Sequence, residues 1–184
     1  MATIFPKAPA FRRGYSPADV DAFFARARSA YEGGVPASQF SGKQVQRASF
    51  PLKLAGYDTR SVDSALNRLE AAFVQRDKID YISVNGEAQW HARVAERATS
   101  LYPRLLRPSG QKFSNPPRGE RGYRAEEVDA LLDRITAYFD KNEPLTVTDV
   151  RFALFRPAKG KSAYREDQVD AYLGRMVEIL LSAS

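Results

Sequence analysis

Four tyrosine–aspartate pairs recur along this chain at one spacing: Tyr15 and Asp21, Tyr57 and Asp63, Tyr123 and Asp129, Tyr164 and Asp170. A valine precedes each aspartate (Val20, Val62, Val128, Val169), and an arginine stands eleven residues after each tyrosine (Arg26, Arg68, Arg134, Arg175). A phenol, a carboxylate and a guanidinium can hydrogen-bond and ion-pair, which is the chemistry of a structural junction. Acid–base or nucleophilic catalysis would need other groups. The chain has no cysteine and a single histidine, His91, beside Trp90. Disulfides, thiolate metal sites and thiol nucleophiles are excluded, and a lone histidine has no companions for a triad or a metal set. There is no phosphate-cradling glycine loop and no cluster of carboxylates. No enzyme activity, catalytic residue, metal or cofactor is expected.

Two further groups could make contacts. Lys7, Arg12 and Arg13 form a small basic cluster just before the first Gly14-Tyr15. The formal net charge of +6 is concentrated in residues 89–124, where Arg93, Arg97, Arg104, Arg107, Lys112, Arg118, Arg121 and Arg124 face only Glu96 and Glu120. Such a patch can meet anionic lipid or nucleic acid, or it can be a solvated connector. The first five residues form no basic-then-apolar signal segment, and no stretch approaches the length of a membrane span. A cytoplasmic protein is expected, attached at most peripherally to the inner face of the membrane.

The elements that position these residues follow from the repeat. The tyrosines stand 42, 66 and 41 residues apart, so a two-copy unit has been duplicated around an extra central segment. Apolar residues five, nine, twelve and sixteen places after each tyrosine trace one face of a helix. The spacing predicts helices at 17–32, 59–78, 125–141 and 166–182. Ser16 with Asp19, Asp58, and the acids Glu126, Glu127, Glu166 and Asp167 suit helix starts. The glycine before three of the tyrosines suggests a turn at positive φ, and each aspartate could cap its own Gly-Tyr loop by accepting backbone N–H bonds. The tyrosines are expected to pack as hinge aromatics. The repeated arginines are expected to form salt bridges or stem packing across the helix pair. Thr146-Val147-Thr148-Asp149 reads as a capping box ahead of a short helix. Residues 87–98 read as one more helix, ending by Pro103 or Pro108, with 109–121 as loop. Connections of about 25 residues can return the chain along a helix of roughly 25 Å, which allows paired helices to run parallel.

These residues resemble the DivIVA domain of bacterial cell-division and cell-pole scaffold proteins. Copy 4 carries Pro144-Leu145-Thr146, Asp149-Val150, Phe155, Tyr164 and Val169-Asp170-Ala171-Tyr172-Leu173; copy 1 carries Phe11-Arg12-Arg13-Gly14-Tyr15 and Val20-Asp21-Ala22-Phe23-Phe24. The chain is similar to repeat proteins with several such units and no long coiled-coil tail. The resemblance implies an all-α fold: four helix-forming repeats as two pseudo-dimeric parallel helix pairs with crossed loops, plus one linker helix. It implies a first pair at 1–80, a connector at 81–112 and a second pair at 113–184. It implies a loop tip that touches membrane through a phenylalanine and an adjacent arginine: Phe11 with Arg12 and Arg13 at one tip, Leu54 with Leu52 and Lys53 at a second, and Glu120 and Lys161 at the others. Phe50 and Phe155 match the inward-packing phenylalanine of the family. The expected function is an adaptor, monomeric or dimeric, that binds a cell-division or cell-envelope protein and anionic membrane. The alternative is nucleic-acid binding along the 89–124 connector.

Overall fold

The computed structural model describes residues 4–9, 11–36 and 39–183 of the 184-residue chain. Residues 1–3 of the first five, where no signal pattern was read, lie outside that range. The chain divides into two compact units, 1–79 and 80–184. The segment expected to be a separate connector at 81–112 counts with the second unit, to whose core it gives Trp90, Leu101 and Leu105.

The first unit contains β1 (Arg13–Tyr15), α1 (Pro17–Tyr31), α2 (Gly42–Gln46), β2 (Leu52–Leu54) and α3 (Thr59–Asn85), the last residues of α3 counting with the second unit. The second contains α4 (Glu87–Leu105), β3 (Arg121–Arg124), α5 (Ala125–Lys141), α6 (Val147–Arg151), β4 (Pro157–Lys159), β5 (Ala163–Tyr164) and α7 (Glu166–Ala183). Local chemistry sets several of these bounds. Pro17 opens α1, where its missing N–H costs nothing. Asp58 accepts the Ser61 N–H at 2.9 Å at the start of α3. Both short helices, α2 and α6, begin with full capping boxes, Ser41 with Gln44 and Thr146 with Asp149. Asn142 ends α5 in the left-handed conformation at φ 56°. Ser16 does not cap as expected. Its backbone carbonyl accepts the Val20 N–H at 3.1 Å, while its hydroxyl is buried without a partner.

The expectation of an all-α chain is corrected by two small antiparallel sheets. In the first unit β1 pairs with β2, Arg13 opposite Leu54 and Tyr15 opposite Leu52. In the second unit the order is β4-β3-β5, with Tyr123 opposite Pro157 and Tyr164. The physical reason is that the Gly-Tyr segments are extended and meet backbone to backbone, so their N–H and C=O groups satisfy one another. Tyr15 N–H donates to the Tyr57 carbonyl at 3.0 Å, and Tyr57 N–H returns to the Tyr15 carbonyl at 2.8 Å.

This contact also explains the glycines, and not through positive φ. A Cβ on Gly14 would stand 2.2 Å from the Tyr57 carbonyl oxygen, and one on Gly122 would stand 2.0 Å from that of Tyr164. The backbones approach too closely for a side chain. Copy 4 accommodates Ala163, fully buried, in the corresponding place.

From this shared start the helices of the first unit stay in contact. Tyr31 meets Phe73 edge-on at 5.6 Å, and Arg76 donates to the carbonyls of Ala30 and Tyr31. The core between them is aromatic: Phe23, Phe24, Phe40, Phe50 and Phe73 form a chain of tilted and edge contacts. The second core is larger and mainly aliphatic, built on Val128, Leu132, Ile135, Val169, Leu173, Met176 and Leu180. The four valines of the motif are all fully buried.

Gly122→Ala is expected to destabilise the protein by about 2–3 kcal/mol, because the clash is with backbone that cannot rotate away. Ala163→Gly is expected to cost about 1 kcal/mol or less. Chemical denaturation of the two variants checks the difference.

Candidate functional site

The repeated tyrosines and aspartates come together by exchange. Tyr57 of copy 2 donates to Asp21 of copy 1 at 3.2 Å, and Tyr15 of copy 1 faces Asp63 of copy 2. Tyr164 of copy 4 donates to Asp129 of copy 3 at 2.9 Å, and Tyr123 of copy 3 reaches Asp170 of copy 4 at 3.4 Å. Each aspartate therefore receives the neighbouring copy's phenol instead of capping its own loop. The spacing within a copy allowed either partner, and only pairing between copies selects this one.

Each unit has a buried and a half-buried member of the exchange, and an upstream segment covers the buried one. Phe5 packs on Tyr57 at 5.5 Å, and Phe113 packs on Tyr164 at 5.3 Å. In the second unit Gly110 N–H also donates to Asp129 at 2.7 Å, and Lys112 N–H donates to the Tyr164 hydroxyl at 3.1 Å. Burial first, then the neighbouring carboxylate, pushes the Tyr123 phenol up to about 12; burial and Asp129 likewise hold Tyr164 at about 12. Burial also raises Asp63 and Asp170, against the hydrogen bonds that their tyrosines supply.

The repeated arginines act between copies in part. Arg134 reaches Asp149 of the α6 helix at 3.4 Å, and Arg26 lies over the Phe40 ring ahead of α2. Arg68 instead bonds Ser64 within its own helix.

The candidate contact residues of the first unit form one end of its sheet. Phe11 is 100% exposed, Leu54 69% and Leu52 52%, and Arg12, Arg13 and Lys53 are exposed among them. Phe11 is the third residue of a turn closed by Arg12 N–H to the Pro9 carbonyl at 3.0 Å, and its φ is 66°. A bulky side chain pays strain in this region. The second unit makes the same turn, from Glu120 N–H to the Pro117 carbonyl, with Gly119 at φ 91° in the third place. Phe50 and Phe155 turn inward and pack on Tyr15 and Tyr123 at 5.5 and 5.2 Å.

Three of the basic residues of the connector, Arg93, Arg104 and Lys112, are engaged within the second unit. Arg93 stacks on Tyr81 at 4.7 Å and Arg104 on Phe113 at 4.8 Å, while Arg104 also donates to the Lys112 carbonyl. Lys112 is buried and pairs with Asp133 at 2.8 Å. Arg97 is half-buried, and Arg107 and Arg118 are exposed. A cavity of about 590 Å³ beside α5 is lined by Arg124, Glu126, Asp129, Asp133 and Lys161. Asp129 and Asp133 are committed there to Tyr164, Gly110 and Lys112. His91 is exposed, 3.5 Å from Glu87. Among the described residues no group of three or more acids and histidines is arranged to hold a metal, and no helix is long and apolar enough to cross a membrane.

The raised phenols give stability a defined alkaline limit. Tyr123 and Tyr164 keep their protons to about pH 12 in the folded chain, whereas an unfolded tyrosine releases its proton near 10.0. Their contribution is complete below pH 10.0 and is lost as pH rises through about 12. Denaturant midpoints are expected to fall across this window, and less steeply in a Tyr123→Phe, Tyr164→Phe double variant. No protein-family model, no curated protein and no solved structure matches this chain.

Proposed function

We propose that this protein is a non-enzymatic adaptor of bacterial cell division or polar envelope growth, whose first unit attaches through the Phe11 tip to a partner protein and to anionic membrane. The observation that carries this reading is Phe11 itself. A fully exposed aromatic ring stands at a backbone position that disfavours any side chain, and the duplicated turn holds glycine there. Strain of this kind clusters at functional contacts. Arg12, Arg13 and Lys53 surround the ring with positive charge, and Leu52 and Leu54 extend the apolar surface.

The chemistry suits weak, reversible attachment. Each cation near an anionic surface contributes about 1 kcal/mol, and partial burial of one phenyl ring adds roughly another 1–2 kcal/mol. The second unit carries Glu120 and Lys161 near its own tips, so attachment is assigned to the first unit alone. The commitment of the carboxylates to tyrosine and lysine partners speaks against an enzyme. Nucleic-acid binding along residues 89–124 has less support, since Arg93, Arg104 and Lys112 are held by internal partners.

Flotation with phosphatidylglycerol vesicles is expected to show salt-sensitive binding that Phe11→Ser abolishes. Binding that survives the substitution, or no binding to anionic vesicles, would remove the membrane role. Phe11→Gly is expected to lose binding in the same assay and to raise folding stability by up to about 1 kcal/mol, since glycine relieves the left-handed strain.

A further inference from the structure

The two units differ most plainly in the segment that follows the short helix. In the second unit, residues 152–156 alternate strictly. Phe152, Leu154 and Arg156 point out, while Ala153 and Phe155 pack against the core. From Ala153 on this is the period of an extended strand, whereas Phe152 closes α6 at φ −104° and ψ 17° with its N–H on the Thr148 carbonyl at 3.1 Å. Phe152 is 57% exposed and Leu154 93%. Among the described residues, Leu154 and Phe155 make no backbone hydrogen bond, whereas Arg156 is tied on both sides, its N–H to Glu127 at 2.7 Å and its carbonyl to the Arg124 N–H at 2.8 Å. Residues 153–155 are thus an open continuation of β4, with main-chain donors and acceptors beside the exposed Leu154 and next to Phe152 at the end of α6.

The first unit shows that the fold does not require this. Its equivalent residues, Arg47, Ser49 and Pro51, alternate outward in the same way, and Pro51 O accepts the Ser16 N–H as Arg156 O accepts that of Arg124. Two polar residues there stand where Phe152 and Leu154 stand in the second unit.

We propose that residues 153–156, with Phe152 beside them, are a docking edge for an extended, acidic segment of a partner protein, which adds to the second unit as a strand beside Leu154. The charge of the region selects the sign. Between 150 and 162 the chain holds Arg151, Arg156, Lys159 and Lys161 and no acid; Arg156 is paired with Glu127, so the sign is set by Lys159 and Lys161, both exposed. The open backbone selects a peptide over a lipid surface, because only a peptide can match it with alternating N–H and C=O groups. Glu127 and Asp149 border the segment through their bonds to Arg156 and Arg134. They disfavour a continuous anionic plane, while a peptide can place its carboxylates between them. Leu154 supplies the apolar anchor on the strand, and Phe152, at the end of α6, extends the apolar surface beside it.

The edge is tested by selecting displayed random peptides on the full chain, with counter-selection on a Phe152→Ser, Leu154→Ser variant. Circular dichroism of that variant should match the parent, since both side chains project into solvent. The enriched peptides are expected to be acidic with alternating apolar residues. Their affinity, by fluorescence anisotropy, should fall about tenfold or more in the double variant. It should weaken as salt rises, vanish when alternate peptide nitrogens are methylated, and be unchanged by Phe11→Ser. A failure to enrich peptides that depend on residues 152 and 154 would overturn the proposal, as would enrichment of neutral or basic sequences. So would binding that survives methylation. If the double variant loses phosphatidylglycerol vesicles and no peptide, the edge is a lipid contact and the peptide assignment is wrong.

Discussion

Everything in this molecule depends on how closely two Gly-Tyr backbones can approach. At Gly14 and Gly122 no Cβ fits between the strands. That proximity brings each tyrosine within reach of the other copy's aspartate, and it starts both long helices of a unit from one point. The buried phenol–carboxylate pair then has to be shielded. Both units use the same device, an upstream phenylalanine laid on the buried tyrosine, Phe5 on Tyr57 and Phe113 on Tyr164. The motif is a joint between copies, and its conserved spacing within the chain reflects a bond that each copy makes only with its neighbour.

Duplication then left two chemically different bodies on one plan. The first unit has an aromatic core and an apolar, cationic sheet end. The second has a mainly aliphatic core, enlarged by α4, and a sheet end bearing Arg121, Lys159 and Lys161. The exposed apolar residues moved as well, from Leu52 and Leu54 in one unit to Phe152 and Leu154 in the other. On the adaptor reading proposed above, such divergence would let one chain offer two surfaces that do not compete for the same ligand.

Much of the local structure was legible. The long helices expected at 17–32, 125–141 and 166–182 are found at Pro17–Tyr31, Ala125–Lys141 and Glu166–Ala183, because apolar periodicity and terminal acids act within one helix. The helix expected at 59–78 runs on to Asn85, since nothing between 79 and 85 interrupts it. Pro103 lies inside α4 and does not end it, and the helix closes at Leu105. The sheets were missed because strands of two to four residues carry too few side chains to show alternation. The exchange of tyrosines was missed for a related reason: a carboxylate six residues away in sequence looks like a local cap until the other copy's phenol is seen to fill it.

The sequence alone determined that there are four related units in two pairs, which faces of their helices are apolar, and that the chain lacks the thiols and clustered histidines of common active sites. These are properties of composition and period, and they need no knowledge of what touches what. Only the tertiary structure decided which tyrosine meets which aspartate, that the glycines serve close approach, that Lys112 and Arg104 are internal groups, and that Phe11 and Leu154 are left outside. Those outcomes turn on distances of a few ångströms between segments far apart in the chain, and such distances are set by packing rather than by any local pattern.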